Sequence, residues 1–370
     1  MKFKTAHSVK TDINAAIEEI KNAIDDNNAR MVMYFSSSTF NSIEVSKGMK
    51  DAFKNLPVIG CTTSGELSGN CMSDGGLVAM AIGDEVVDDI AIEVIPDLSD
   101  PVNGVEKAFL SFEKHYGYKM KEMDAEKYIG MVLTDGLSGA EEALNERIGD
   151  LTNVMFVGGS AGDDLAFKKT YVFADGTVQS NASILILIKS KIPFDVIKTQ
   201  SFEPTEKKLI VTKADESKRC VMEINGKPAT QAYAESLGVP EKDVANYFFK
   251  NPVGLVFDHD NIFVRSPQRR DGQNIIFYCN IKEGMELHLL KSTDIISDTQ
   301  KAIEEKTGEM GSISGIINFN CILRTLDLKQ QNCTQEYADL FKNMATIGFS
   351  TYGESFIGHI NQTATMLAFK

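Results

Sequence analysis

Val58-Ile-Gly-Cys-Thr-Thr-Ser-Gly-Glu66 joins a short apolar run to a small polar turn that ends in a glycine and an acid. The same order returns in Val157-Gly-Gly-Ser-Ala-Gly-Asp-Asp164 and in Gly348-Phe-Ser-Thr-Tyr-Gly-Glu354. Upstream of each lies another apolar run, a polar loop and a helical stretch. Those runs begin at Met31, Ile129 and Ile313, and the distances to Gly60, Gly158 and Gly348 are 29, 29 and 35 residues. Downstream of each comes a further strand-like run: Gly76–Gly83, Ser183–Ile188 and His359–Phe369. Self-similarity of this kind has to be read before anything else, because it sets the architecture. Unlike sequence separates the three copies, so they are duplicated units and not a regular solenoid.

The expected fold is therefore mixed α/β (α+β). It has two domains built from repeated β-α-β units with Gly-rich turns, and mixed sheets flanked by helices. A fourth, degenerate copy is expected around Cys220–Arg265, where an apolar run, a helical stretch (Pro228–Leu237) and a strand pair follow one another. The domain boundary is expected near Lys189–Pro193, giving domains 1–192 and 193–370. Local signals agree with these elements. Asp12 stands as an N-cap before the periodic Ala16, Ile20 and Ile24. Asp175-Gly176 between Tyr171–Phe173 and Thr177-Val178 is a two-residue hairpin signature. Helical spacing also marks Ala140–Ile148 and Gln335–Met344.

Composition narrows the function. Of 370 residues, 43% are apolar and 24% charged, the balance of a folded globular chain. The formal charge is 38 − 52 = −14. Residues 1–190 contribute 17 − 29 = −12 of it. Such a surface repels phosphate backbones, so no nucleic-acid partner is expected. No apolar run approaches the ~18 residues of a membrane span. The polar start Met1–Thr5 does not resemble a secretory leader, so a cytoplasmic location is expected. The six cysteines (61, 71, 220, 279, 321 and 333) form no C-x-x-C pair, which leaves no zinc or attached-haem motif and fits reduced thiols.

In these motifs the chain resembles the FIST sensory domain. Val58–Glu66 is similar to its first signature and Val157–Asp164 to its second. Gly348–Glu354 followed by Gly358–Thr365 is similar to the end of its C-terminal half. Asp135-Gly-Leu-Ser138 and Gly226-Lys-Pro-Ala229 with Tyr233 also fit. The resemblance covers about residues 30–190 and 195–369. One departure is Cys321-Ile-Leu-Arg324, where the family usually has Cys-x-Gly-Arg. The resemblance implies a signal-input domain that binds small ligands, with amino acids proposed. In some bacterial relatives it binds haem and responds to nitric oxide. Relatives are often fused to kinase, chemoreceptor or cyclase outputs. This length leaves no room for such an output, so a stand-alone sensor working with a separate signalling protein is expected.

The candidate ligand-binding residues sit on the Gly-acid turns: Cys61, Thr62, Thr63, Gly65 and Glu66; Ser160, Gly162 and Asp163; Tyr352, Gly353 and Glu354. Ser64 adds a hydroxyl and Asp164 an acid. Glycine admits a close backbone approach, and successive N–H groups in such a turn can hold an anion. An adjacent carboxylate can accept from an ammonium, so the combination suits a zwitterion. The same turns also serve as plain connections in a duplicated fold, with each acid bonding nearby backbone. Arg324 can clamp a carboxylate or pair with an acid such as Glu354. Asn361 lies on an alternating segment near the end. Cys61 and Cys321 read as buried thiols more readily than as nucleophiles. Of five histidines, His359 and His288 are the candidates for haem, the alternative cofactor; His7, His115 and His259 complete the set. No metal ligand set and no catalytic residue is assigned: a P-loop and a nucleophile elbow are both absent. An enzyme acting on a small metabolite through Cys61 or the acids is the remaining alternative.

Overall fold

A computed structural model describes residues 1–257 and 261–370. The chain divides into two compact units. The first comprises Met1–Lys198, Gln300–His359 and Ala364–Lys370; the second comprises Thr199–Thr299 and Ile360–Thr363. The architecture is mixed α+β, with mixed sheets flanked by helices.

In the first unit the three sequence copies become three mixed sheets. Each has a parallel pair with an antiparallel strand beside it. Ala29–Ser37 runs parallel to Val58–Thr63 and antiparallel to Leu77–Gly83. Tyr128–Thr134 runs parallel to Phe156–Ser160 and antiparallel to Ser183–Ser190. Gly315–Cys321 runs parallel to Ala345–Thr351 and antiparallel to Thr363–Phe369. A helix crosses over within each parallel pair, as that connection requires: Ser42–Ala52, Glu141–Leu151, and Ile322–Gln330 with Thr334–Asp339. Gly60, Gly158 and Gly348 lie inside the second parallel strands, not in the turns.

The copies also exchange strands in a cycle. The strand after the first turn, Glu66–Ser68, pairs with Ala345–Thr351 of the third sheet. The strand after the third turn, Glu354–Phe356, pairs with Phe156–Ser160 of the second sheet. After the second turn, Val172–Ala174 pairs with Val58–Thr63 of the first. Three turns thus cross between three sheets in one rotational sense.

Alternation along the strands explains the packing. Met31, Met33 and Phe35 join Ile129, Met131, Leu133, Ile317, Phe319 and Phe349 in one core shared by the three sheets. Phe35 and Phe349 meet there at a centroid distance of 4.5 Å. The opposite face of the first sheet, with Val32, Tyr34 and Val58, is covered by Ile17, Ile20, Val45 and Met49 of the helices Ile13–Ile24 and Ser42–Ala52. Val132, Leu185 and Leu187 of the second sheet pack under Phe109, Phe112 and Leu144.

Local signals hold where they were strongest. The Asp12 carboxylate accepts from the Ala15 amide at 2.8 Å and caps the helix Ile13–Ile24. Asp175 and Gly176 both take positive φ between Val172–Ala174 and Thr177–Gln179. The last periodic stretch is shorter than its pattern: helix stops at Asp339, and the chain turns through Leu340–Met344 to enter the strand at Ala345.

Among the described residues the second unit is an eight-stranded sheet in which every pairing is antiparallel: seven strands are ordered from Ile262–Arg265 through Val253–Val256, Glu286–Ser292, Phe202–Asp215, Cys220–Ile224 and Asn274–Phe277 to Pro267–Asp271, and the eighth, Lys227–Pro228, pairs beside Cys220–Ile224. The expected fourth copy around Cys220–Arg265 is therefore corrected. Cys220–Ile224, helix Ala229–Leu237 and Val253–Val256 do follow in order. However, Val253–Val256 pairs with Ile262–Arg265 and Glu286–Ser292 and not with Cys220–Ile224, so no parallel β-α-β unit forms.

Candidate functional site

Within the first unit, Ala29–Ser37 and Val58–Thr63 end side by side, with Ser37 opposite Thr63. The space beyond the carboxyl ends of parallel strands is where α/β sheets hold ligands. A cavity of about 320 Å³ opens there. Its floor is the strand ends and first turn: Ser37, Ser38, Thr39, Thr63, Ser64 and Gly65. The rest of the first copy and the other two copies supply its sides. Asp74 and Gly75 come from the hairpin after the first turn, Asp164 and Leu165 from the chain after the second, and Ile322 and Lys329 from the third copy's helix.

The polar lining is only partly self-satisfied. Ser37 Oγ and Thr39 Oγ1 share a hydrogen bond of 2.9 Å, and Ser37 Oγ accepts from the Thr39 amide. Lys329 Nζ lies 2.8 and 2.7 Å from the two Asp74 carboxylate oxygens. This pair is half exposed, so it contributes under about 1 kcal/mol to stability and can be exchanged for another partner. Ser64 Oγ is buried beside the Tyr352 side chain. The exposed Asp164 carboxylate has no protein partner among the described residues. The lining therefore offers an exposed carboxylate and a lysine held by an exchangeable acid.

Two glycines shape the first turn. Gly65 has φ +138°, and a Cβ on it would approach Asp74 Oδ1 and Ser350 Oγ at 3.1 and 3.2 Å. A Cβ on Gly162 would stand 2.2 Å from Ser64 Oγ. The turns are also tied to one another by backbone: Ser350 N donates to Gly65 O, Gly162 N to Thr62 O and Ser160 N to Gly353 O.

The acids of the turns lie behind this lining. Glu66 is 1% exposed. It accepts from the Thr63 hydroxyl at 2.5 Å, the Gly76 amide at 2.8 Å and the Ser73 hydroxyl at 3.2 Å. Burial pushes its carboxyl up to about 7 against those three bonds. Glu354 repeats the motif with the Thr351 hydroxyl. Asp163 departs from it by holding the amides of Phe167, Lys168 and Lys169 and the Tyr352 hydroxyl. Burial opposes its charge, but the Tyr352 hydroxyl and those amides outweigh burial and hold the carboxyl below its ordinary value.

Of the remaining sequence candidates, Cys61 faces the shared core, where burial raises its thiol well above the usual value. Thr62 Oγ1 accepts from the Tyr171 amide at 3.0 Å. Ser160 Oγ lies 3.5 Å from Glu141 Oε1. Tyr352 stacks on Phe167 at 4.9 Å. Arg324 is buried, donates from Nε to Asn320 Oδ1 at 3.1 Å and lies over the Tyr337 ring. A Cβ on Gly353 would stand 2.1 Å from His359 Cε1. In the second unit, Asn361 is buried with Oδ1 unpartnered, and His288 Nδ1 lies 3.3 Å from Thr205 O. His259 lies outside the described residues. So of the predicted set, Thr63 and Gly65 line the cavity, with Ser64 and Asp164 beside them. Ser37–Thr39, Asp74 and Lys329 were missed. The polar run Ser36–Thr39 after an apolar strand was their one visible signal. Among the described residues no three His, Cys, Asp or Glu side chains converge as a metal-binding group.

The sequence matches the FIST N domain over residues 30–227 and the FIST C domain over 229–356. The chain belongs to the FIST family, whose domains are sensory domains of signal transduction. It is 26% identical over 278 residues to an uncharacterized protein of Methanocaldococcus jannaschii. That match covers 71% of this chain and 53% of the relative, so the chain spans about half the relative's length. No helix among the described residues is long and apolar enough to cross a membrane.

Proposed function

We propose that this chain is a stand-alone cytoplasmic sensory protein that binds a small polar molecule of the amino-acid type in the 320 Å³ cavity. The observation that carries the reading is the pairing of charges across the lining. Asp164 has no protein partner and suits an ammonium, while Lys329 is held by Asp74 through a bond that a ligand carboxylate can replace. Ser38, Thr39 and Gly65 line the same cavity. The volume is at the lower end of small-molecule sites, which run from about 300 to 1,000 Å³. Occupancy shifts a population that a separate kinase, cyclase or chemoreceptor reads.

A thermal-shift screen against the free amino acids tests this. A ligand at about 100 times its Kd adds ~2.7 kcal/mol. A shift with one chemical class supports the reading, and no shift with any amino acid removes it. Haem is the second reading, favoured by the unpartnered, buried Nδ1 of His359. The fit is poor, because the His359 ring is buried and packs closely against Gly353. A purified protein that shows no Soret band and takes up no hemin ends it.

A further inference from the structure

Asp163 and Tyr352 lie outside the cavity lining, yet both reach one of its walls through the chain. Residues 164–169 leave the second turn, and the first two of them, Asp164 and Leu165, line the cavity. This loop has little else to hold it. Leu165 and Phe167 are 42% and 50% exposed. Both also take left-handed backbone, φ 65° and 51°, which bulky L residues rarely adopt. What fixes the loop is one carboxylate. Asp163 accepts the amides of Phe167 at 3.0 Å, Lys168 at 2.8 Å and Lys169 at 3.3 Å. The Tyr352 hydroxyl donates to the same carboxylate, and its ring stacks on Phe167. Tyr352 belongs to the third copy, so the loop is pinned between two copies. Preceding it, Gly162 packs on Ser64.

We infer that Asp163 and Tyr352 are positioning residues for the cavity, holding the 164–169 loop so that Asp164 and Leu165 form one of its walls. In the other two copies the equivalent acids, Glu66 and Glu354, take the hydroxyl of their own turn, Thr63 and Thr351. The second copy has Ser160-Ala161-Gly162 in its turn and uses its acid on the loop instead. The consequence for ligand recognition rests on the binding reading above. If that reading holds, Asp164 meets the ligand's ammonium only while Asp163 holds the loop.

The test separates loop order from binding, using the full chain. Amide exchange at Phe167, Lys168 and Lys169 is measured in wild type, Asp163→Asn, Asp163→Glu and Tyr352→Phe. Trypsin cleavage after Lys168 and Lys169 is followed in parallel. The Asn variant should speed both by about tenfold or more, since amides bonded to a charged acceptor lose their strongest partner. Tyr352→Phe keeps the stacked ring and should fall between wild type and Asn. The Glu variant, which keeps the carboxylate, should restore part of the protection. Exchange in the Ile184–Ile188 strand should not change. Equal loop exchange in wild type and Asp163→Asn overturns the proposal, and so does loss of protection that spreads to Ile184–Ile188. The free amino acids are then titrated: a stabilising one should bind Asp163→Asn about tenfold more weakly than wild type. Equal affinity for both proteins overturns the positioning role. If none binds wild type while the loop behaves as stated, the binding reading fails and the loop-holding role of Asp163 stands.

Discussion

Gly60 stands opposite Tyr34 in the parallel pair, and a Cβ on it would lie 2.1 Å from the Tyr34 carbonyl oxygen. Gly158 meets the Val132 oxygen at 1.8 Å and Gly348 the Asn318 oxygen at 2.3 Å in the same way. The obstacle in each case is a strand backbone, which cannot step aside as a flexible side chain can. Three sheets thus share one steric requirement at one position of the repeat.

Alanine at any of the three should therefore destabilise the chain by about 3 kcal/mol, the upper range for overpacking a tight interior. Gly149 is the control. It lies in the helix Glu141–Leu151 with nothing near its Cβ position. Gly149→Ala should stabilise by about 0.5–1 kcal/mol through helix propensity. Urea midpoints of the four variants check the contrast. A Gly60→Ala protein as stable as wild type would contradict the packing.

Glu66 makes stability depend on pH. Its carboxyl is raised by burial from 4.5 to about 7 in the folded chain. Below pH 4.5 both folded and unfolded states hold the proton, and stability does not change with pH through this group. Between 4.5 and 7 the unfolded state has released it while the folded state keeps it, so stability falls as pH rises. Above 7 the loss levels off at about 3 kcal/mol, from ~1.4 kcal/mol per pH unit. Glu66→Gln should remove this slope, and urea midpoints of both proteins at pH 5 and pH 7.5 measure it. A slope unchanged in the Gln variant assigns the pH dependence elsewhere.

Charge at the cavity should decide binding without deciding folding. Lys329 and Asp164 are exposed at the lining, so Lys329→Met and Asp164→Asn should move the melting temperature little. Each removes one charged hydrogen-bond partner, which is about 1.5–3 kcal/mol of affinity, or roughly tenfold to a hundredfold. Calorimetric titration with an amino acid found by thermal shift checks this. Full affinity in both variants would move the site away from this cavity.

How much of this was legible follows from what spacing encodes. The three copies were readable because each repeats an apolar run, a helix and a Gly-acid turn at similar distances. Their cyclic strand exchange was not, because no residue in Glu66–Ser68 tells which sheet edge it will join. The Cys220–Arg265 stretch misled for the same reason: an ordered strand, helix and strand do not fix which strands pair. At the site, Cys61 and Thr63 stand two residues apart on the strand Val58–Thr63 and share a face, so alternation does not separate the core thiol from the residue at the strand's end by the cavity. Asp74 and Lys329 meet across 255 positions with no motif around either.

The hairpin that brings Asp74 to the cavity also carries Cys71, and its exposure singles that thiol out. None of the six cysteines is in a disulfide. Cys61, Cys220, Cys279, Cys321 and Cys333 are buried, whereas Cys71 is of intermediate exposure on the strand Cys71–Ser73. Burial raises the Cys71 thiol, and the nearby Glu66 carboxylate raises it further. It should therefore react slowly at pH 7 and faster at pH 9, since the thiolate is the reacting form. Native protein treated with iodoacetamide should gain one adduct well before the others, mapped by peptide mass to Cys71. Glu66→Gln removes the neighbouring charge and should speed that adduct at pH 8 if the fold is intact. Early labelling at Cys61 or Cys321 instead would show that the core between the three sheets opens on the timescale of the reaction. The shared packing of Phe35, Phe319 and Phe349 should prevent that.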